Sequence, residues 1–136
     1  MIILDTNVIS EFMLLRPEPA VRSWLDAQAP ESVWTTSVNV YELRVGVDLL
    51  PSGSRRTDLQ YKLEVLFEQV IEGRVLPFDD IAAFKAARLV AHHKEAGKTG
   101  KFRDTQVAGI VLARKATLAT RNTKPLDVAV VNPWTD

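Results

Sequence analysis

Met1-Ile2-Ile3-Leu4-Asp5-Thr6-Asn7 is a short apolar run that stops abruptly on a carboxylate. Met1 to Leu4 are continuously apolar rather than alternating, the pattern of a strand buried on both faces. An acid at the end of such a strand gains nothing from packing. Burying it is costly unless it is paired, hydrogen-bonded or metal-bound. In open parallel α/β sheets, ligands sit outside the carboxyl ends of the strands. Asp5 is therefore the first candidate for chemistry.

Working outward, strand-like and helix-like segments alternate. Val8 to Leu15 reads as a short helix capped by Asn7 or Thr6, broken by Pro17 and Pro19. Ala20 to Gln28 carry Val21, Trp24 and Leu25 at helical spacing, and Ser32 to Thr36 read as a second strand. Ser37 can cap a helix from Val38 to about Leu50, stopped by Pro51-Ser52-Gly53. Arg56 to Val70 form an amphipathic helix with Leu59, Leu63, Leu66, Phe67 and Val70 as its apolar stripe. Arg74 to Phe78 are a third strand, and Asp79 or Asp80 caps a helix that reaches Glu95 and ends at Gly97. After a Gly- and Lys-rich loop, Asp104 to Lys115 read as helix, and Thr117 to Thr120 and Val128 to Val131 as strands. Strands separated by helices predict a parallel sheet of about five strands covered on both faces, a three-layer α/β/α fold in one domain over residues 1–136. The alternation does not specify the strand order.

Composition narrows the class. The 46% hydrophobic and 25% charged content is that of a soluble globular protein. No apolar run approaches the ~20 residues needed to cross a membrane, and no signal-peptide pattern is present. The absence of Cys excludes disulfides and thiolate metal sites, and fits a cytoplasmic location. Seventeen basic residues balance 17 acidic ones, so any polyanion must be held by a local patch.

Three acids lie where packing alone would not put them. Asp5 ends the first strand. Glu42 sits on a helix that is apolar over most of its surface, with Val38, Tyr41, Val45 and Leu49 on one side and Val40, Leu43, Val47 and Leu50 on another. Such a helix is expected to pack on two sides, leaving Glu42 on a stripe with Asn39 and Gly46. The bland alternative is a half-exposed Glu42 beside Arg44 or Arg22. Asp104 opens the helix leading into the fourth strand, where the helix dipole alone would favour an acid; Asp79 has the same explanation as a cap. In a parallel sheet, Asp5, Glu42 and Asp104 fall on one edge. Like charges about 4 Å apart repel by roughly 4 kcal/mol at an effective dielectric of 20, so clustered carboxylates protonate or hold a cation. With oxygen ligands and no Cys, Mg2+ or Mn2+ is the natural guest, and metal-assisted phosphodiester hydrolysis the chemistry it suggests.

These residues also carry a family resemblance. Leu4-Asp5-Thr6-Asn7-Val8-Ile9-Ser10, the Y-E-L-R-V-G run at 41–46, V-L-P-F-D at 75–79, R-D-T-Q-V-A-G-I-V-L-A at 103–113, L-A-T-R-N-T-K at 118–124 and V-V-N-P-W at 130–134 together resemble a PIN domain. More narrowly, the chain resembles the VapC/FitB-type ribonuclease toxins of bacterial type II toxin–antitoxin pairs, from end to end. The resemblance implies a Mg2+-dependent endoribonuclease that restricts growth. Asp5 and Asp104 would be direct metal ligands, and Glu42 would complete the shell or hold a metal-bound water. Thr6, Asn7 and Thr120 would be supporting polar groups. Water activated at the metal would attack in line and leave a 5′-phosphate and a 3′-hydroxyl. The implied partners are an antitoxin that can place an Arg in the acidic pocket, RNA, a second copy in a homodimer, and promoter DNA contacted through the antitoxin.

One departure stands out. A fourth acid is common after the fourth strand, but Asn122 and Pro125 occupy those places. Asn122 offers a carbonyl oxygen without charge, which favours one metal over two. It also supports an alternative reading, a PIN-fold binding subunit that is catalytically weak or inactive and acts through its antitoxin. A phosphoacceptor receiver is a third reading, but it usually pairs two acids after the first strand, and here Thr6-Asn7 follow Asp5.

Other signals are weaker. Gly97-Lys98-Thr99 is no phosphate loop, since His92 stands where the earlier Gly should be. Lys98, Lys101, Arg103, Arg121 and Lys124 are nevertheless candidates for holding flanking RNA phosphates. His92 and His93 read as surface residues, and Trp24, Trp34 and Trp134 as core or interface anchors.

Overall fold

In a computed structural model, described here for residues 1–95, 102–123 and 127–136, five parallel strands form a central sheet with six α-helices around it. The strands are β1 (Ile2–Leu4), β2 (Val33–Thr36), β3 (Val75–Leu76), β4 (Thr117–Ala119) and β5 (Ala129–Val131). The helices are α1 (Thr6–Phe12), α2 (Pro19–Asp26), α3 (Ser37–Asp48), α4 (Ser54–Val65), α5 (Asp80–Glu95) and α6 (Phe102–Arg114). The order across the sheet is β3-β2-β1-β4-β5. Chain direction across the sheet therefore reverses between β1 and β4, where Ile2, Ile3 and Leu4 stand beside Thr117, Leu118 and Ala119. That switch point is where α/β sheets open a crevice for ligands.

The three-layer arrangement follows from strand periodicity. Ile3 belongs to a core cluster with Ala82, Val107, Ile110 and Val111, so it points toward α5 and α6. Leu4, the next residue, belongs to the opposite cluster with Val8, Val21, Leu43 and Leu63. Leu118 and Ala119 split in the same way. An unbroken apolar run is what a strand with two covered faces requires.

The helix starts differ from the expected ones. Asp5, not Asn7 or Thr6, caps α1, accepting a hydrogen bond from the Thr6 backbone N–H at 2.9 Å. Thr36 caps α3 in place of Ser37, its hydroxyl oxygen accepting from the Asn39 N–H at 3.1 Å. In each case the last residue in extended conformation supplies the oxygen, because the cap must lie outside the helical φ/ψ region while its side chain reaches back. Asp79 caps α5 as expected, with its Oδ1 3.0 Å from the Ala82 nitrogen.

Two expectations about burial are corrected. α3 is not packed on two full sides: Tyr41 is 58% and Leu49 80% exposed, while Leu43 and Val47 are buried. α4 ends earlier than the apolar stripe, and Leu66–Ile71 continue as a wider π-helical segment that closes at Glu72 in the left-handed region. Leu63 is nonetheless fully buried, with Leu59, Leu66 and Phe67 packed against the same cluster, so most of the stripe is core. His93 is buried rather than on the surface. His92 and His93 each place Nε2 4.0 Å from the Asp127 carboxylate. Among the described residues, no helix is long and apolar enough to cross a membrane.

Candidate active site

Asp5 leaves β1 at the switch point, its backbone N–H donating to the Ala119 carbonyl at 2.9 Å. Its carboxylate is held from three directions. Oδ1 accepts from the Thr6 N–H at 2.9 Å and from the Asn39 amide at 3.0 Å, and Oδ2 accepts from the Thr120 hydroxyl at 2.8 Å. Thr120, the first residue after β4, is itself buried and saturated. Its oxygen accepts from the Asn7 amide and the Asn122 N–H, both at 3.1 Å, while its proton goes to Asp5. Asn7 also accepts from the Arg121 N–H at 3.2 Å, which ties α1 to the strand end of β4. Thr6, Asn7 and Thr120 thus support the carboxylate as a connected network, and such networks are rigid when every member is satisfied.

Glu42, on the second turn of α3, and Asp104, in the first turn of α6, line the same cleft as Asp5. The cleft is open, with a volume of about 460 Å³, and Asn122, Arg121 and Trp134 form its other wall. The three acids are brought to one place because β1, the β2–α3 junction and the start of α6 all lie at the carboxyl edge of the sheet. Among the described residues, no three acidic or histidine side chains converge closely enough to hold a metal ion as they stand. Mg2+ commonly uses one or two carboxylates and keeps several waters, so an all-oxygen cleft with one preset carboxylate fits it.

The basic candidates separate. Arg121 lines the cleft, its guanidinium 4.9 Å from the Trp134 ring centre. Arg103 stands 3.9 Å from Glu42 and 5.2 Å from the centre of the Tyr41 ring. Arg44, expected beside Glu42, pairs with Glu64 at 2.6 Å, and Arg103 stands at Glu42. Lys98, Lys101 and Lys124 fall outside the described residues. Trp24 and Trp34 pack on the two cores, whereas Trp134 both packs and faces the cleft.

Two residues had been missed. Asn39 is fully buried and reaches Asp5; its signal was a polar residue between two Val in the first turn of a largely apolar helix, three after a Thr. Glu11, on α1, brings another carboxylate to the rim of the cleft. It lies one helical turn beyond Asn7, a spacing that could have pointed to it.

Residues 2–131 match the family described as PIN domain. The chain is 42% identical over 137 residues to a protein named VapC ribonuclease Y4jK of Sinorhizobium fredii, covering 98% of both chains. It is 40% identical over 139 residues to Toxin FitB of Neisseria gonorrhoeae, covering all of both. A solved structure of FitAB bound to an IR36 DNA fragment contains a chain superposing with a TM-score of 0.90 at 37% identity, covering 100% of this chain and 97% of that one.

Proposed function

Because the chain belongs to the PIN domain family, we propose that it is a Mg2+-dependent endoribonuclease acting as the toxin of a toxin–antitoxin pair. One observation carries the reading: Asp5, Glu42 and Asp104, distant in sequence, line one cleft at the sheet's switch point. The likeness to a ribonuclease and to a toxin along nearly the whole chain supports it.

Asp5 and Asp104 would hold the metal and Glu42 a metal-bound water, with Mn2+ as a substitute ion. When bound, the ion supplies charge neutralisation at the scissile phosphate and a more acidic water. The chain's own residues do the rest. Three donors hold the Asp5 side chain in a fixed orientation. Arg121 presents a guanidinium on the cleft wall, where it can hold a neighbouring phosphate while the acids face the reacting one. Asn122 contributes no charge there, but Glu11 adds a carboxylate on the α1 side.

The antitoxin would use the same cleft. An apolar groove of about 330 Å³, floored by Met13, Leu43 and Val47, adjoins it and shares Thr6, Ser10, Leu14 and Glu42 with it. A partner segment can bury apolar side chains there and turn a guanidinium toward the acids. DNA contact would come through that partner, as the likeness to a DNA-bound FitAB structure suggests. Exposed Ile81 and Phe84 on α5 supply apolar surface for the second copy of a homodimer.

The test is cleavage of a structured RNA by purified, antitoxin-free chain with Mg2+, with EDTA, and as Asp5→Asn. Metal-dependent cleavage that the variant loses is expected. Cleavage that persists in EDTA, or equally in the variant, would overturn the reading.

A further inference from the structure

Asn39 reaches Asp5 from another element, 34 residues along the chain. It is fully buried in the first turn of α3, and every hydrogen-bonding group of its side chain is used. One amide nitrogen donates to Asp5 Oδ1 and to Thr6 Oγ1, each at 3.0 Å. Its carbonyl oxygen accepts from the Thr36 hydroxyl at 2.6 Å. Thr36 Oγ1 in turn accepts from the Asn39 N–H, so the hydroxyl proton is directed at the amide oxygen. Flipping the amide would set its oxygen against the Asp5 carboxylate. The orientation is therefore determined by chemistry.

The consequence lies in the lone pairs of Asp5. A carboxylate oxygen has two acceptor positions. Oδ1 has both occupied, by the Thr6 N–H and by Asn39. Oδ2 has one occupied, by Thr120. Among the described residues, Asp5 thus lines the cleft with one acceptor position left, on one oxygen. We infer that Asn39 is a positioning residue that makes Asp5 a one-oxygen ligand, and so sets the cleft's preference for a small divalent cation over a large one.

The physical basis is the difference between the ions. Mg2+ demands near-octahedral geometry at 2.0–2.1 Å and takes carboxylate oxygens singly with water completing its shell. Ca2+ gathers six to eight oxygens and can take carboxylates through both oxygens as well as one. A carboxylate with Oδ1 committed to two N–H donors cannot offer the two-oxygen mode without breaking a part-buried hydrogen bond. The small ion loses nothing by the restriction, and the large one loses a ligand.

This inference rests on the metal-binding reading of the cleft, and the experiment separates the two. Mg2+ and Ca2+ would be titrated calorimetrically into the full chain without RNA, as wild type, as Asn39→Ala and as Asn39→Leu. Leu shares the heavy-atom number and branching of Asn and donates nothing, so it keeps the site filled if Ala destabilises the fold. Wild type is expected to favour Mg2+, and in the variants the ratio of Mg2+ to Ca2+ affinity should fall by about tenfold or more. A ratio unchanged in a folded variant overturns the role of Asn39 and leaves the metal site standing. No binding of either ion to wild type overturns the metal reading and this inference with it.

Discussion

At Gly109, on the face of α6 toward α5, an added Cβ would stand 2.5 Å from the Ala82 carbonyl oxygen and 2.7 Å from the Ala86 Cβ. At Asp5, three donors stand between 2.8 and 3.0 Å from the carboxylate oxygens. Both places are tight, but for opposite reasons. The α5–α6 contact is specified by volume and accepts no additional atom. The Asp5 cluster is specified by the direction of protons, and an atom of the same size with the wrong polarity breaks it. The first region holds the sheet's cover in place, and the second orients the carboxylate that the proposed chemistry would use.

The comparison predicts that each region fails in its own observable. Asp5→Asn should lower RNA cleavage by about 100-fold or more, as losing an electrostatic group at a reacting centre does. Its melting temperature should fall only modestly, because Asn still caps α1 but its NH2 leaves one of the three donors around it without an acceptor. A cleavage loss matched by a loss of folded protein would erase the distinction between the regions. Gly109→Ala should do the reverse, destabilising the chain by about 1–3 kcal/mol through overpacking. Activity per folded molecule should stay at the wild-type level, measured after correcting for the folded fraction by circular dichroism.

Thr120→Val sharpens the boundary between the two. It preserves shape but removes a hydroxyl that serves Asp5, Asn7 and Asn122 at once. Leaving buried partners unsatisfied costs about 1–3 kcal/mol, so both stability and cleavage should fall. A variant that lost only one of them would mean that the network is not shared. The smallest effect belongs to Arg44→Ala. Its partner Glu64 is half exposed, and such pairs contribute about 0–1 kcal/mol, so denaturant titrations should barely separate it from wild type.

How far each feature could be read in advance follows from what carries it. The alternation of strands and helices was readable because periodicity is local. The two-faced burial of Ile3 and Leu4 was readable from an unbroken apolar run. Helix starts were misplaced by one or two residues, since Asp5, Thr6 and Asn7 are all competent caps and only backbone conformation selects among them. Tyr41 and Leu49 were assigned to a buried face because apolar residues at helical spacing look alike whether or not something covers them. His93 was assigned to the surface, yet the fold buries it. Asn39 was visible as an odd polar residue, but its partner lies on another element, and nothing local announces that.

By itself, the sequence determined that this is a parallel α/β chain with an acid at the end of its first strand. Hydrophobic period and the cost of burying a charge are properties of neighbouring residues. Only the tertiary structure decided that β1 lies between β2 and β4, and hence that Thr120 and Asn39 meet the same carboxylate from opposite sides. Those contacts span 115 and 34 residues of chain, and their geometry comes from strand order, which no local pattern encodes. The carboxylate could be singled out in the sequence, but which of its oxygens faces the cleft depends on how the sheet assembles.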